Sequence, residues 1–223
     1  RTKMQIGINI GANKNKANDP SEFSKVLKLC HKNINFATIN ISSPNTANLR
    51  TLQQRSLLIE TLREVTNTNL DLTDPKPLFL KISPDLNYKN LEDIVEIAMK
   101  FKISGIIATN SSSNFINKNN PQLIKAGGIS GKPLFTKSTK NLALLSKISD
   151  GKLPLIGVGG ISSAEDAYTK ILAGASAVQI YTALTFKGPR LISDVITGLD
   201  RILEKEGYFN ISEAVGLKKE KYC

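Results

Sequence analysis

Two hundred and twenty-three residues, 40% hydrophobic and 22% charged, suffice for one sizeable core or part of a larger one. No apolar run nears the roughly 20 residues that cross a bilayer, and Arg1-Thr2-Lys3-Met4 lacks the apolar stretch of a signal peptide. Thirty Lys and Arg against 19 Asp and Glu give a net charge of +11, but the lysines are scattered and no aromatic residues interleave a basic block, which argues against nucleic acid and for a solvated basic surface with an anionic ligand site or membrane face second.

Met4-Gln5-Ile6-Gly7 leads straight into a strand-like segment, so the chain is expected to begin in mid-fold. Short apolar runs bounded by turn residues predict six buried parallel strands, over residues 5–11, 36–42, 77–83, 103–111, 154–160 and 176–183. Runs without polar alternation suit a sheet covered on both faces. Asp19 as N-cap and Pro20 in the first turn start a helix whose apolar repeat is Phe23, Val26, Leu27 and Cys30. Its end carries the single histidine, His31, expected to be exposed. Ile94, Ile97, Ala98 and Phe101 repeat in the same way. Residues 163–174 and 189–206 give two more helices, the first stopped by Gly174. Two cysteines, Cys30 and Cys223, make no disulfide framework and point to a reducing compartment. One histidine excludes a histidine-rich metal site, and no metal is expected.

Alternating strands and helices argue an α/β fold with parallel strands. A doubly wound sheet would suit six strands, and a (β/α)8 barrel would need two more. Every predicted strand ends in polar or glycine-rich residues: Asn9, Asn40, Lys81, Asn110, Gly159-Gly160 and Tyr181-Thr182 fall at successive ends. Such groups converge only if the strands close into a ring, which favours the (β/α)8 TIM barrel, here incomplete. Residues 112–131, rich in Asn, Ser and Gly, read as a functional loop, often a lid.

Gly157-Val158-Gly159-Gly160 follows an apolar strand and precedes a helix near Ser162-Ser163. Uncovered backbone N–H groups and a helix N-terminus suit a phosphate, and the loops after the last two strands are where barrels bind one. Asn9, Asn40, Asn45 and Asn110 offer paired donors and acceptors to a heterocycle such as a pyrimidine or a flavin. Lys81, inside the apolar run Leu78-Phe79-Leu80-Lys81-Ile82, needs an anion or an electron-rich ring beside it.

An ordered set of motifs resembles the dihydroorotate dehydrogenase family. They are Gly7 to Gly11, Asn40-Ile41-Ser42-Ser43-Pro44-Asn45-Thr46 with Leu49-Arg50, Lys81-Ile82-Ser83-Pro84-Asp85-Leu86, Gly105 to Asn110, Gly127 to Gly131, Gly157 to Gly160 and Tyr181-Thr182-Ala183-Leu184. The resemblance implies an FMN enzyme of pyrimidine synthesis that oxidises dihydroorotate to orotate. Serine at position 43, rather than cysteine, points to the membrane-associated, quinone-reducing class, with Ser43 as the general base. By the same resemblance Asn9, Asn40, Lys81, Thr109, Gly131, Gly159, Gly160, Tyr181 and Thr182 would contact FMN, and Asn40, Asn45, Asn110 and Ser111 the substrate. The family has two threonines where this chain has Ser111-Ser112, which keeps a hydroxyl at the site. Residues 1–223 would be the C-terminal portion of one barrel domain, lacking two strands and the N-terminal helices through which the family sits peripherally on a bacterial or mitochondrial inner membrane. A related FMN barrel with another substrate, or a non-catalytic phosphate-binding remnant, remain the alternatives.

Overall fold

A computed structural model describes residues 4–114 and 127–223. Six strands form one parallel sheet: β1 (Gly7–Ile10), β2 (Phe36–Asn40), β3 (Leu78–Ile82), β4 (Gly105–Ala108), β5 (Leu155–Val158) and β6 (Ala177–Gln179). They pair in strict chain order, with Asn9 beside Thr38, Asn40 beside Lys81 and Ile82 beside Ala108. A doubly wound sheet reverses its strand order part-way. Unbroken order instead curls the sheet into an arc, six strands of an incomplete (β/α)8 barrel. Among the described residues β1 and β6 do not pair with each other, so the arc is open.

Between the strands run α1 (Ser21–Cys30), α2 (Arg55–Leu70), α3 (Tyr88–Lys100), α4 (Phe135–Ile148) and α5 (Ala164–Leu172). After β6 come α6 (Thr182–Lys187), α7 (Arg190–Glu206) and α8 (Lys219–Tyr222). Asn87 opens α3 with a reciprocal box, its side chain accepting from the Asn90 N–H at 2.9 Å. Ser163 caps α5, accepting from the Asp166 N–H. Helix α1 starts at Ser21 with Pro20 in the cap position, one residue later than the sequence suggests, although the Asp19 carboxylate still accepts the Ser21 N–H at 2.9 Å. His31 closes α1 as expected but is half-buried, its Nδ1 2.8 Å from the Lys28 carbonyl.

Alternate strand residues face opposite sides. On the convex side Ile39, Leu80, Ile82 and Ile106 are buried in one core with Leu62, Ile94 and Leu142 from the helices. Each such side chain contributes about 1.5–3 kcal/mol by leaving water. The expectation of cover on both faces holds for β4, whose residues are all buried. It fails towards the ends of the arc: on the concave side Asn9 is exposed and Phe36, Phe79 and Gln179 are half-buried. Phe36 and Phe79 meet edge to face there, centroids 5.6 Å apart. Glycine at position 7 makes room for them, since a Cβ would fall 2.1 Å from the Phe36 ring.

The strands are shorter than expected, because their polar ends belong to loops. Thr109, Asn110 and Ser111 lie beyond β4, and the segment read as strand to residue 183 ends at Gln179, with Thr182 opening α6. Of the expected lid, residues 115–126 lie outside the described residues. Its two ends are joined by an antiparallel bridge, Ser112 and Ile129 exchanging N–H bonds of 3.0 and 2.8 Å.

Candidate active site

The C-terminal strand ends enclose a cavity of about 990 Å³, at the top of the usual range for a cofactor or ligand site. Around its rim stand Ser43 and Asn45 after β2, Lys81 on β3, Thr109 to Ser111 after β4, Gly159-Gly160 after β5 and Tyr181-Thr182 after β6. Asn40, at the end of β2, and Gly131 also line it. Of the residues singled out in the sequence only Asn9 lies elsewhere: at the edge of the arc it borders an adjoining recess of about 250 Å³, together with Lys81 and Gln179.

Three polar side chains cluster where the loops after β2 and β4 meet. Asn40 Oδ1 accepts from Ser42 Oγ at 3.1 Å and from Asn110 Nδ2 at 3.3 Å, and Asn110 Nδ2 also reaches Ser42 Oγ at 3.2 Å. Asn110 Oδ1 accepts the Ser111 N–H at 2.8 Å. These bonds fix the rotamer of Asn40 and leave its Nδ2 donor without a partner among the described residues. Ser43 Oγ, half-buried, accepts the Asn45 N–H at 3.2 Å, and no acceptor among the described residues takes its own proton. The Thr182 hydroxyl donates to Ser130 Oγ at 2.9 Å, tying the last loop to the one before α4.

Lys81 is half-buried, and burial alone holds its ammonium below the usual lysine pKa. Among the described residues no acceptor pairs with it. A desolvated, unpartnered cation lining a cavity fits an electron-rich or anionic ligand better than water. Across the cavity Gly159 and Gly160 have φ of +109° and +79°, which L side chains rarely adopt. No backbone hydrogen bond within the described residues uses the N–H of Gly160 or Ile161. Donors left open in a glycine turn fit a phosphate. Cavity size, amide donors, Lys81 and this turn together fit a phosphorylated heterocycle of flavin size.

Several supporting residues escaped the sequence reading. Arg50 donates to Asp85 at 2.8 Å, to the Ser42 carbonyl at 3.1 Å and to the Ser111 carbonyl at 2.8 Å. Asp85 also accepts from Lys137, from Ser112 Oγ at 2.5 Å and from the Ser113 N–H at 2.9 Å. Burial pushes the Asp85 carboxyl up, but these hydrogen bonds outweigh it and hold the pKa at about 2. Buried Gln53 accepts the Ser83 N–H at 2.8 Å. Lys170, on α5 beneath the glycine turn, is fully buried. Arg50 and Asp85 were visible only as letters within motifs, while Lys170 looked like any polar position of an amphipathic helix.

The family model described as dihydroorotate dehydrogenase matches residues 1–203. The chain belongs to the dihydroorotate dehydrogenase family. It is 45% identical to the dihydroorotate dehydrogenase (quinone) of Cereibacter sphaeroides over 216 residues, which is 97% of this chain and 61% of that protein. It is 39% identical to the mitochondrial quinone-linked enzyme of Arabidopsis thaliana, covering 95% of this chain and 47% of that one. The ligand-free dihydroorotate dehydrogenase of Eimeria tenella superposes with a TM-score of 0.91 at 32% identity, covering 97% of this chain and 65% of that one. The structure of that enzyme with ferulenol gives 0.87, again at 32% identity. The chain therefore spans about 60% of the length of its bacterial dihydroorotate dehydrogenase relative.

Proposed function

We propose that this chain carries the flavin and substrate sites of a quinone-linked dihydroorotate dehydrogenase, which oxidises dihydroorotate to orotate in pyrimidine synthesis. One observation carries the reading. A single cavity brings the Ser43 hydroxyl, the Asn40 donor, Lys81 and the open glycine turn to face one another, in a chain of this family. FMN fits that cavity, and bound there it would supply the redox chemistry by accepting a hydride.

The chain's own residues then have defined tasks. Ser43 Oγ, held by the Asn45 N–H, takes the proton from the substrate ring carbon beside the carbonyl while its own hydroxyl proton passes on through water to solvent. Asn40 donates to the pyrimidine edge through its free Nδ2, Asn45 offers both a donor and an acceptor, and Ser111 offers a hydroxyl beside them. Asn110 acts chiefly by fixing Asn40, because its own amide is engaged within the protein. Lys81 stabilises negative charge that develops on the ring system above it. Gly131, Gly159, Gly160, Thr109, Tyr181 and Thr182 seat the cofactor, and Asn9 reaches it from the adjoining recess. Electrons pass on to a quinone, and the protein works peripherally on a bacterial or mitochondrial inner membrane. Among the described residues no helix is long and apolar enough to cross one.

The test is a chimera in which this chain replaces the matching part of the Cereibacter sphaeroides relative. With FMN supplied, it should reduce a quinone-analogue dye when given dihydroorotate. Ser43→Ala should abolish most of that turnover and leave the flavin bound. Turnover unchanged by the substitution rules out Ser43 as the base, and turnover on a different cyclic substrate alone favours a related flavin barrel.

A further inference from the structure

Lys170 is 0% exposed and has no carboxylate within ion-pair distance among the described residues. Its ammonium donates to Ser138 Oγ at 2.6 Å and reaches the Phe135 carbonyl at 3.5 Å. It also lies 4.9 Å from the centre of the Phe135 ring. A buried lysine that meets only a hydroxyl, one carbonyl and an aromatic face is costly to keep. It does not line the cavity.

Its hydroxyl partner explains the position. Ser138 Oγ lies 3.1 Å from the Gly159 carbonyl and 3.1 Å from the Phe135 carbonyl, and it has one proton to give. The Phe135 carbonyl already accepts from Thr139 Oγ1 at 2.7 Å. The Gly159 carbonyl has no other partner among the described residues, so the Ser138 proton serves Gly159 better. The order is then Lys170 ammonium to Ser138 hydroxyl to Gly159 carbonyl. The peptide joining Gly159 to Gly160 is trans, and in a trans peptide the C=O and N–H point in opposite directions. Holding the Gly159 carbonyl towards α4 and α5 therefore turns the Gly160 N–H away from them, towards the cavity that Gly160 lines. Two glycines with positive φ could otherwise flip this peptide at little cost.

We infer that Lys170 and Ser138 form a buried clamp that presents the Gly160 N–H to the phosphate of the flavin and places a cation behind it. This rests on the reading of the glycine turn as the flavin's phosphate seat. Lys170 is a positioning residue, since it touches neither the cofactor nor the reacting atoms.

The clamp is sensitive to pH. Burial pulls the Lys170 ammonium down to about 7, against the upward pull of Asp166 on the same helix. Lys132 shares the Phe135 ring with it, 4.8 Å from the ring centre, and is itself paired with Asp166 at 2.8 Å. On β5 Gly157 lies against its stem, and Ala175 and Leu142 border the same glycine; none of these carries a charge. In the empty protein above neutrality Lys170 is largely uncharged. A phosphate dianion arriving on the other side of the peptide restores the charge by drawing a proton from solvent.

The experiment compares FMN with riboflavin, which has the same ring system and no phosphate, by calorimetric titration at about pH 8 in two buffers of different ionisation enthalpy. FMN should bind more tightly than riboflavin and take up a fraction of a proton, and riboflavin should take up none. Lys170→Met should lower FMN affinity about tenfold, leave riboflavin affinity unchanged and abolish the proton uptake. Ser138→Ala should weaken FMN alone and keep the uptake. FMN binding by the unaltered chain without proton uptake overturns the clamp, whether or not the variants fold. So does a Lys170→Met protein that keeps the full preference for FMN over riboflavin, and in both cases the phosphate seat survives. Equal affinity for the two flavins, or binding of neither, removes the seat and the clamp together.

Discussion

The Arg50 guanidinium and the Asp85 carboxylate, 35 residues apart in sequence, meet at 2.8 Å where the loops after β2, β3 and β4 converge. Arg50 holds the carbonyls of Ser42 and Ser111, and Asp85 holds the side chain of Ser112 and the N–H of Ser113. The loop that carries Ser43 is thereby fastened to the loop that carries Asn110. On the proposed reading of Ser43 as the base, a drift of about an ångström would cost rate steeply, so the ion pair would serve that hydroxyl by holding its loop in place.

Replacing Asp85 with Ala leaves Arg50 and Lys137 facing each other without their shared anion. Removing one partner of a buried pair costs about 3–5 kcal/mol. Arg50 and Lys137 keep 22% and 40% of their side-chain exposure, which puts the expected loss near the low end. The depressed Asp85 pKa also sets a pH window. Its contribution is complete above the ordinary value of 3.8 and is lost as pH falls through about 2. Urea unfolding at a series of pH values should show an acid slope in the unaltered chain, and Asp85→Ala should reduce it without abolishing it, because the lowered carboxyls of Glu22 and Asp166 keep their share.

Gly160→Ala and Gly151→Ala separate backbone strain from collision. Both glycines have positive φ, +79° and +68°. A Cβ at position 160 would lie 2.6 Å from the Phe135 Cβ and 2.8 Å from its Cα, whereas at 151 it meets nothing within 4 Å. Gly151→Ala should cost about 1 kcal/mol, the strain alone. Gly160→Ala should cost about 3 kcal/mol or more and lose FMN binding, because the turn must move to admit the methyl group. Thermal unfolding and flavin fluorescence titration give the two numbers.

Much of this architecture was legible in the chain, for physical reasons. Strand cores such as Leu78 to Ile82 are apolar because the convex face packs on helices, and that pattern is local. Asn40, Lys81 and Gly160 stood out because each breaks an apolar run at a strand end, where a ring of parallel strands gathers its chemistry. Strand order is not local, and neither is the open edge that exposes Asn9. The Arg50–Asp85 pair joins two motifs that gave no sign of touching. Lys170 was the hardest to see. Its burial depends on Ser138 and Leu142 of another helix and on the absence of a side chain at Gly157, none of which periodicity reveals.

Lys170→Met should stabilise the flavin-free protein, and by an amount that depends on pH. With a folded pKa of about 7 against 10.5 in the unfolded chain, the unfolded state binds more protons between those values, so stability rises with pH across that window. Below it the folded state carries the full cost of a buried charge, on the order of 5 kcal/mol for a shift of that size. The methionine variant should lose most of that slope, keeping the part due to Lys81, and should gain most below pH 7. Denaturation midpoints at several pH values test the sign, and a variant less stable than its parent at low pH contradicts it.

Lys81 poses the same question inside the cavity. Its ammonium is held below the usual pKa by burial and has no acceptor among the described residues. A site tuned for a ligand gives up stability while empty, so Lys81→Met should raise the melting temperature of the flavin-free chain by an amount equivalent to about 1 kcal/mol. It should also weaken flavin binding, and in the chimera it should lower kcat more than KM for dihydroorotate, because the charge it offsets develops during the reaction. If the variant melts lower and binds flavin as before, Lys81 is a packing residue whose stem matters more than its charge.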